Sequence, residues 1–130
     1  MTNSETHMSE IRLDQWTEIR SELRRRLIQV AKRNRTITYT DLAVDLPFEG
    51  PHSHALSRML EEIGQECHAE SEPLLSALAV YATGDKQGDP GEGFYGALVR
   101  LKLLSKSAPQ NDRYEFWVRQ VSLCHSFTWP

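Results

Sequence analysis

Two histidines stand two apart in "HSH", His52 and His54, at the start of a helical stretch. Such a pair can bind a metal ion, and one imidazole can take or give a proton near neutral pH. No third ligand follows at a spacing that would complete a site, so no metal is assigned. The plain reading of the pair is solvent-facing residues at a helix start. The other metal-capable types are the doublets Cys67-His68 and Cys124-His125. Adjacent residues on a helix point about 100° apart, which makes one four-ligand zinc site from both doublets awkward. No Ser/His/Asp order and no paired-carboxylate signature is visible. The sequence therefore assigns no catalytic residue and no cofactor, and an enzyme would have to centre on His52 and His54.

A second chemistry-bearing stretch is "TGDKQGDPGEGFYG", residues 83 to 96, with five glycines, one proline and three acids. A phosphate cradle would need G-x-x-x-x-G-K-[ST] or G-x-G-x-x-G after a strand, and neither is present. Asp85, Asp89 and Glu92 would repel phosphate. The ligand rhythm of a calcium loop is also missing. The expectation is a structural wing and a turn into a helix, with glycines supplying positive φ and Pro90 stiffening the bend. Gly91 and Gly93 precede the helix, so their N–H groups could meet an anion or a partner.

The chain carries 15 Lys and Arg against 18 Asp and Glu, a net charge of −3. That balance argues mildly against a protein that coats nucleic acid through bulk charge. The distribution is uneven. Residues 20 to 35 hold Arg20, Arg24, Arg25, Arg26, Lys32, Arg33 and Arg35 against Glu22 alone, while residues 61 to 72 hold five glutamates and no Lys or Arg. The basic run is a solvated helix face in one reading and a phosphate-contacting face in the other.

These residues need elements to position them. Trp16, Ile19, Leu23, Leu27 and Val30 recur at steps of three or four, which predicts one amphipathic helix over 9–34 with Ser9 as cap. "RTITYT" reads as a short strand. "TDLAVDL" reads as a short helix capped by Thr40 and ended by Pro47. Ala55, Leu56, Met59, Leu60, Ile63 and Cys67 form one stripe of a helix from about Ser53 to Ala69. "PLLSALAVYA", residues 73 to 82, reads as the most buried strand. "FYGALVRLKLL" returns to helical spacing, and Asp112 is placed as the cap of a last helix carrying Trp117, Val121 and Cys124 on one face. The expected core is Leu23, Leu27, Leu42, Leu56, Leu60, Ile63, Leu78, Val80, Leu98 and Trp117.

A length of 130 residues fits one domain. The expected division is a polar tail over 1–8 and a single domain over 9–130. Cys67 and Cys124 match no disulfide or zinc-ribbon spacing, which points to a reduced, cytoplasmic setting. No apolar run has the roughly 18 residues of a membrane span, and the first residues lack a signal pattern.

"RTITYTDLA" followed by "HALSRMLEEI" resembles the DNA-binding half of alkylguanine-DNA alkyltransferases and alkyltransferase-like proteins. Tyr39 stands at that family's motif tyrosine and Ala43 at its alanine. Leu56, Ser57, Met59 and Leu60 fall in the second motif, and Pro73 opens the following strand. The likeness covers about 45 residues. The family's arginine finger falls on His54, and its reactive cysteine with its neighbours falls on "LLSA", residues 74 to 77. Alkyl transfer needs an activated thiolate, so the resemblance implies the fold and DNA contact without the chemistry. The whole chain is also similar to small bacterial proteins with an "ITY-DLA … P-LLSALVV … PG-GF" layout, which carries a fold expectation and no activity.

The order of elements predicts a mainly α domain with a small two-stranded β-ribbon: a winged helix-turn-helix-like core plus two C-terminal helices. "TITY" should pair with "LLSALAVYA", with Tyr39 at the ribbon's edge. The expected function is non-catalytic and DNA-binding or regulatory. Tyr39, Ser53, His54, Ser57 and Arg58 would meet duplex DNA weakly, flanked by Arg24, Arg25 and Lys32. The alternative is a protein-interaction module using the glycine loop, at Gly91 and Gly93, and the aromatic C-terminus. No membrane partner is expected.

Overall fold

The computed structural model describes residues 11–50, 53–82 and 87–130. Ser9, His52 and the tail assigned to residues 1–8 lie outside them. The described residues form helix α1 (Leu13–Lys32), strand β1 (Ile37–Thr38), helix α2 (Tyr39–Leu42), helix α3 (His54–Ala69), a 3-10 turn (Leu75–Leu78), strand β2 (Ala79–Val80), helix α4 (Glu92–Arg100) and helix α5 (Gln110–Ser126). The fold is thus mainly helical with one small sheet. The sheet is parallel, pairing Ile37 with Ala79 and Thr38 with Val80, so the expected partnership of the two segments holds.

α1 and α3 form as their apolar spacing predicts. Leu23, Leu27 and Ala31 of α1 are buried, as are Leu56, Met59, Ile63 and Cys67 of α3. All ten expected core residues are buried. Ser53 caps α3 by accepting from the Leu56 N–H at 3.3 Å.

Several boundaries differ from expectation. α1 begins at Leu13 after Arg12, which makes no side-chain cap. Strand geometry covers only Ile37–Thr38, because Tyr39 and Thr40 already belong to α2. Thr38, not Thr40, is the cap, its hydroxyl accepting from the Asp41 N–H at 3.1 Å. α2 stops at Leu42, well before Pro47. α4 spans Glu92–Arg100 instead of running on to Leu104, and α5 starts at Gln110 after Pro109, ahead of Asp112.

The largest correction is at residues 73 to 82. The expected long strand is a 3-10 turn followed by only two strand residues. Its backbone groups find side-chain partners instead of a ladder. The Leu74 N–H donates to Gln120 Oε1 at 2.9 Å, and the Leu74 carbonyl accepts from Cys124 Sγ at 3.4 Å. The Ala77 carbonyl accepts from Trp117 Nε1 at 2.8 Å. Buried peptide groups must be paired, and α5 supplies the partners that a neighbouring strand would otherwise give.

Three helices end alike. Asn34, Ser71 and Lys102 take φ of 56°, 57° and 63°. The next N–H turns back to the helix: Arg35 to Val30 O, Glu72 to Cys67 O and Leu103 to Leu98 O. These are Schellman ends built without glycine, so composition alone does not mark them.

Candidate functional site

A cleft of about 180 Å³ opens where the N-terminal half of α3, the 3-10 turn and the start of α4 meet. Tyr39, Ser57, Ser76, Tyr81, Gly91 and Gly93 give it a hydroxyl-rich and glycine-rich lining. Leu60 and Phe94 add apolar surface, and Ser53 and Glu61 complete the α3 side.

Each part is held for a local reason. Tyr39 is the first residue of α2, directly after the strand residue Thr38. Its hydroxyl accepts from the Gly91 N–H at 2.8 Å. Its ring meets Tyr81 edge to face at 5.5 Å. A Cβ at residue 91 would lie 3.1 Å from the Tyr39 hydroxyl and 3.2 Å from that of Tyr81. Glycine at 91 is therefore set by close approach and not by φ, which is an ordinary −77°. Among the described glycines only Gly88 has positive φ, so the expectation that the loop glycines serve mainly to supply it is corrected. The loop folds back on Tyr81, whose N–H donates to Asp89 O and whose carbonyl accepts from the Gly88 N–H. Gly64 plays a similar part inside α3. A Cβ there would sit 3.0 Å from Ser76 Oγ, so the glycine admits the serine that lines the cleft.

The cleft is neutral in its reactive groups. Burial pushes the Tyr39 hydroxyl up to about 12 against a smaller opposing effect of the Gly91 bond, so it is a phenol at physiological pH. Ser57 and Ser76 make no side-chain hydrogen bond within the described residues. Glu61 is clamped by Arg100 through two bonds of 2.8 Å. The arrangement suits binding through neutral donors and acceptors.

The candidate DNA-contacting residues divide into two groups. Tyr39, Ser53 and Ser57 come together with Gly91 and Gly93 in the cleft. His54 and Arg58 are exposed on the adjoining strip of α3, about 100° around from Ser53 and Ser57 respectively. The arginines of α1 are not part of this group. Arg24 pairs with Glu72 at 3.1 Å, contacts Cys67 Sγ at 3.6 Å and lies over Trp129 at 5.8 Å, which puts it at the far end of α3 from Arg58. Arg25 is bound to Glu22 at 2.6 and 2.8 Å. Lys32 is exposed in the last turn of α1.

The acids of α3 are answered from within the fold. Glu61 is held by Arg100, Glu62 by Arg20 and Trp16, and Glu66 by Arg20 at 3.1 Å. Arg58 makes no ion pair or hydrogen bond within the described residues.

Cys67 and Cys124 are both buried free thiols, and burial raises both, Cys124 to about 12. His68 is exposed, so it does not follow Cys67 inward. Sequence reasoning missed Tyr81, Ser76 and Arg100 as neighbours of the site. A signal existed only for Tyr81, an aromatic at the end of an apolar run. No helix among the described residues is long and apolar enough to cross a membrane. Compared with family models, curated proteins and solved structures, the chain shows no significant match to any.

Proposed function

We propose that this chain is a non-catalytic winged helix-turn-helix-like domain that contacts duplex DNA through the N-terminal turns of α3. In this reading α2 and α3 are the helix pair, and the wing expected at residues 83 to 93 is described only from Gln87 onward, where it folds back on Tyr81. One observation carries the proposal. Glu61, Glu62 and Glu66 of α3 are paired with Arg100 and Arg20, which offset two of the three charges, while His54, Ser57 and Arg58 stay exposed nearer its N-terminus. An acidic helix would repel DNA, but here most of its negative charge is matched by ion pairs to α1 and α4.

The cleft supports the same reading. Tyrosine and serine hydroxyls, backbone N–H groups and helix N-termini are common phosphate contacts that position a protein on DNA. Ser57 and Gly93 line the cleft next to the strip that carries Arg58. Arg24 and Arg25 act as structural cations in this reading, because their charges are already matched.

A salt titration of duplex binding tests it. With few phosphate contacts, affinity is micromolar at physiological salt, and log K falls against log salt by about 0.9 per contact. Arg58→Ala lowers the slope by about one if Arg58 meets a phosphate. Arg25→Ala leaves it unchanged. Binding no tighter than about 0.1 mM at 50 mM salt for the wild-type chain would end the DNA reading.

A further inference from the structure

α5 buries Trp117 and Cys124 and turns its other face to solvent. Tyr114 is 51% exposed, Val118 42% and Leu123 43%. These are large apolar groups on one helix. At 100° per residue, Tyr114, Val118 and Ser122 form one ridge, and Glu115, Arg119 and Leu123 form the next. An open groove of about 460 Å³ follows these two ridges. Glu115 and Arg119 are four residues apart, yet neither makes an ion pair within the described residues.

We propose that this face is the contact between two copies of the chain, with their α5 helices packed antiparallel about a two-fold axis at Val118. A two-fold contact requires a patch that complements itself, and this one does so in a single orientation. Reversal about Val118 sets Val118 on its counterpart. It lays each Tyr114 ring over Ser122 of the partner subunit, whose small side chain leaves room for it. It also brings each Glu115 within one turn of Arg119 of the partner subunit, twice over. A parallel pairing in register would set acid against acid and base against base. The ridges are of the i, i+4 kind that interdigitate when helices pack. A contact of one helix with one helix is small, so the dimer forms at micromolar concentrations and exchanges readily. The inference does not depend on DNA binding, because α3 takes no part in it.

Sedimentation equilibrium of the full chain, from roughly 5 to 500 μM, should show a monomer–dimer equilibrium. Glu115→Arg sets four cations against each other and should weaken the dimer by about tenfold or more, as should Arg119→Glu with four acids. The double variant Glu115→Arg/Arg119→Glu restores the opposite-charge arrangement and should return to within about threefold of wild type. Val118→Cys should form an inter-chain disulfide under copper catalysis, with oxygen as the oxidant that takes up the two electrons and two protons of the thiol pair. Wild type should not, since Cys67 and Cys124 are buried. A chain that stays monomeric across this range overturns the proposal, as does a double variant no better than the single ones. The substituted residues are all exposed, so unchanged far-UV circular dichroism confirms that each variant folds.

Discussion

The Tyr39 hydroxyl accepts a 2.8 Å hydrogen bond from the Gly91 N–H across 52 positions of sequence. That bond joins the sheet edge to the start of α4 and sets the shape of the cleft. It also explains why residue 91 lacks a side chain.

A double-mutant cycle on this pair has a defined outcome. Tyr39→Phe leaves the Gly91 N–H without its partner and costs about 1–3 kcal/mol. Gly91→Ala drives a methyl against two hydroxyls at 3.1 and 3.2 Å and costs roughly 1–3 kcal/mol as an overpacking change. In the Tyr39→Phe background one of those contacts is gone, so Gly91→Ala costs less than in wild type. Urea midpoints of the four proteins measure the difference, and strictly additive costs would refute the close packing.

Glu22 sets an acid-side dependence of stability. Hydrogen bonds from Arg25 and Arg26 hold its carboxyl down at about 2, below the ordinary 4.5. A depressed carboxylate stabilises the fold above the unfolded-state value. That contribution is complete above about pH 5 and fades as pH falls toward 2. Glu22→Gln lacks it. The gap between wild type and variant should therefore narrow as pH drops from about 5 to 2. The effect is modest because the pair is partly exposed and screened. A gap that widens toward acid would contradict the pairing.

Gln120 is expected to matter more than its polar character suggests. Its side-chain oxygen is the acceptor for the N–H of Leu74, which is 3% exposed. Gln120→Ala strands that donor and should cost about 1–3 kcal/mol. Gln120→Glu keeps the acceptor and should be milder. Thermal unfolding of both variants separates loss of the bond from loss of the side chain.

Lys102 offers a change in the opposite direction. Its φ of 63° is a conformation that costs most L-residues roughly 1–2 kcal/mol. Lys102→Gly removes this cost but adds unfolded-state entropy, leaving a net gain of about 1 kcal/mol or less. Ser71→Gly should behave similarly. A lower unfolding midpoint in both would show that the side chains there contribute more than the strain.

The helices and their buried faces are legible in the sequence because the period of Leu23, Leu27, Leu56, Leu60 and Ile63 states both the element and its inward side. The pairing of "TIT" with the later apolar run is legible too, from β-branched content and the need to bury that run. The 3-10 turn at Leu75–Leu78 is not, because its stability depends on Gln120, Trp117 and Cys124, whose bonds to residues 74 and 77 span 40 to 50 positions. An apolar run satisfied by remote side chains looks the same in sequence as a run satisfied by a strand. Ser53 and Ser57 line the cleft because the start of α3 places them there. The fate of Arg24 and Arg25 was hidden, since a basic run shows its charge and not the distant Glu72 or the neighbouring Glu22 that claims it.

The parallel sense of the two-residue ladder bears on how the chain folds. Two parallel strands cannot form from a local hairpin, since the second must return to the same end of the sheet by a crossover. Here that crossover contains α2, α3 and the 3-10 turn. Ile37 and Ala79 can meet only after residues 39 to 78 have compacted, so the ladder closes late and cannot act as a nucleus. Folding should start with the docking of α1 on α3, and truncations in those helices should slow it. Shortening β1 should mainly speed unfolding. The sheet then acts as a latch on a helical assembly already in place.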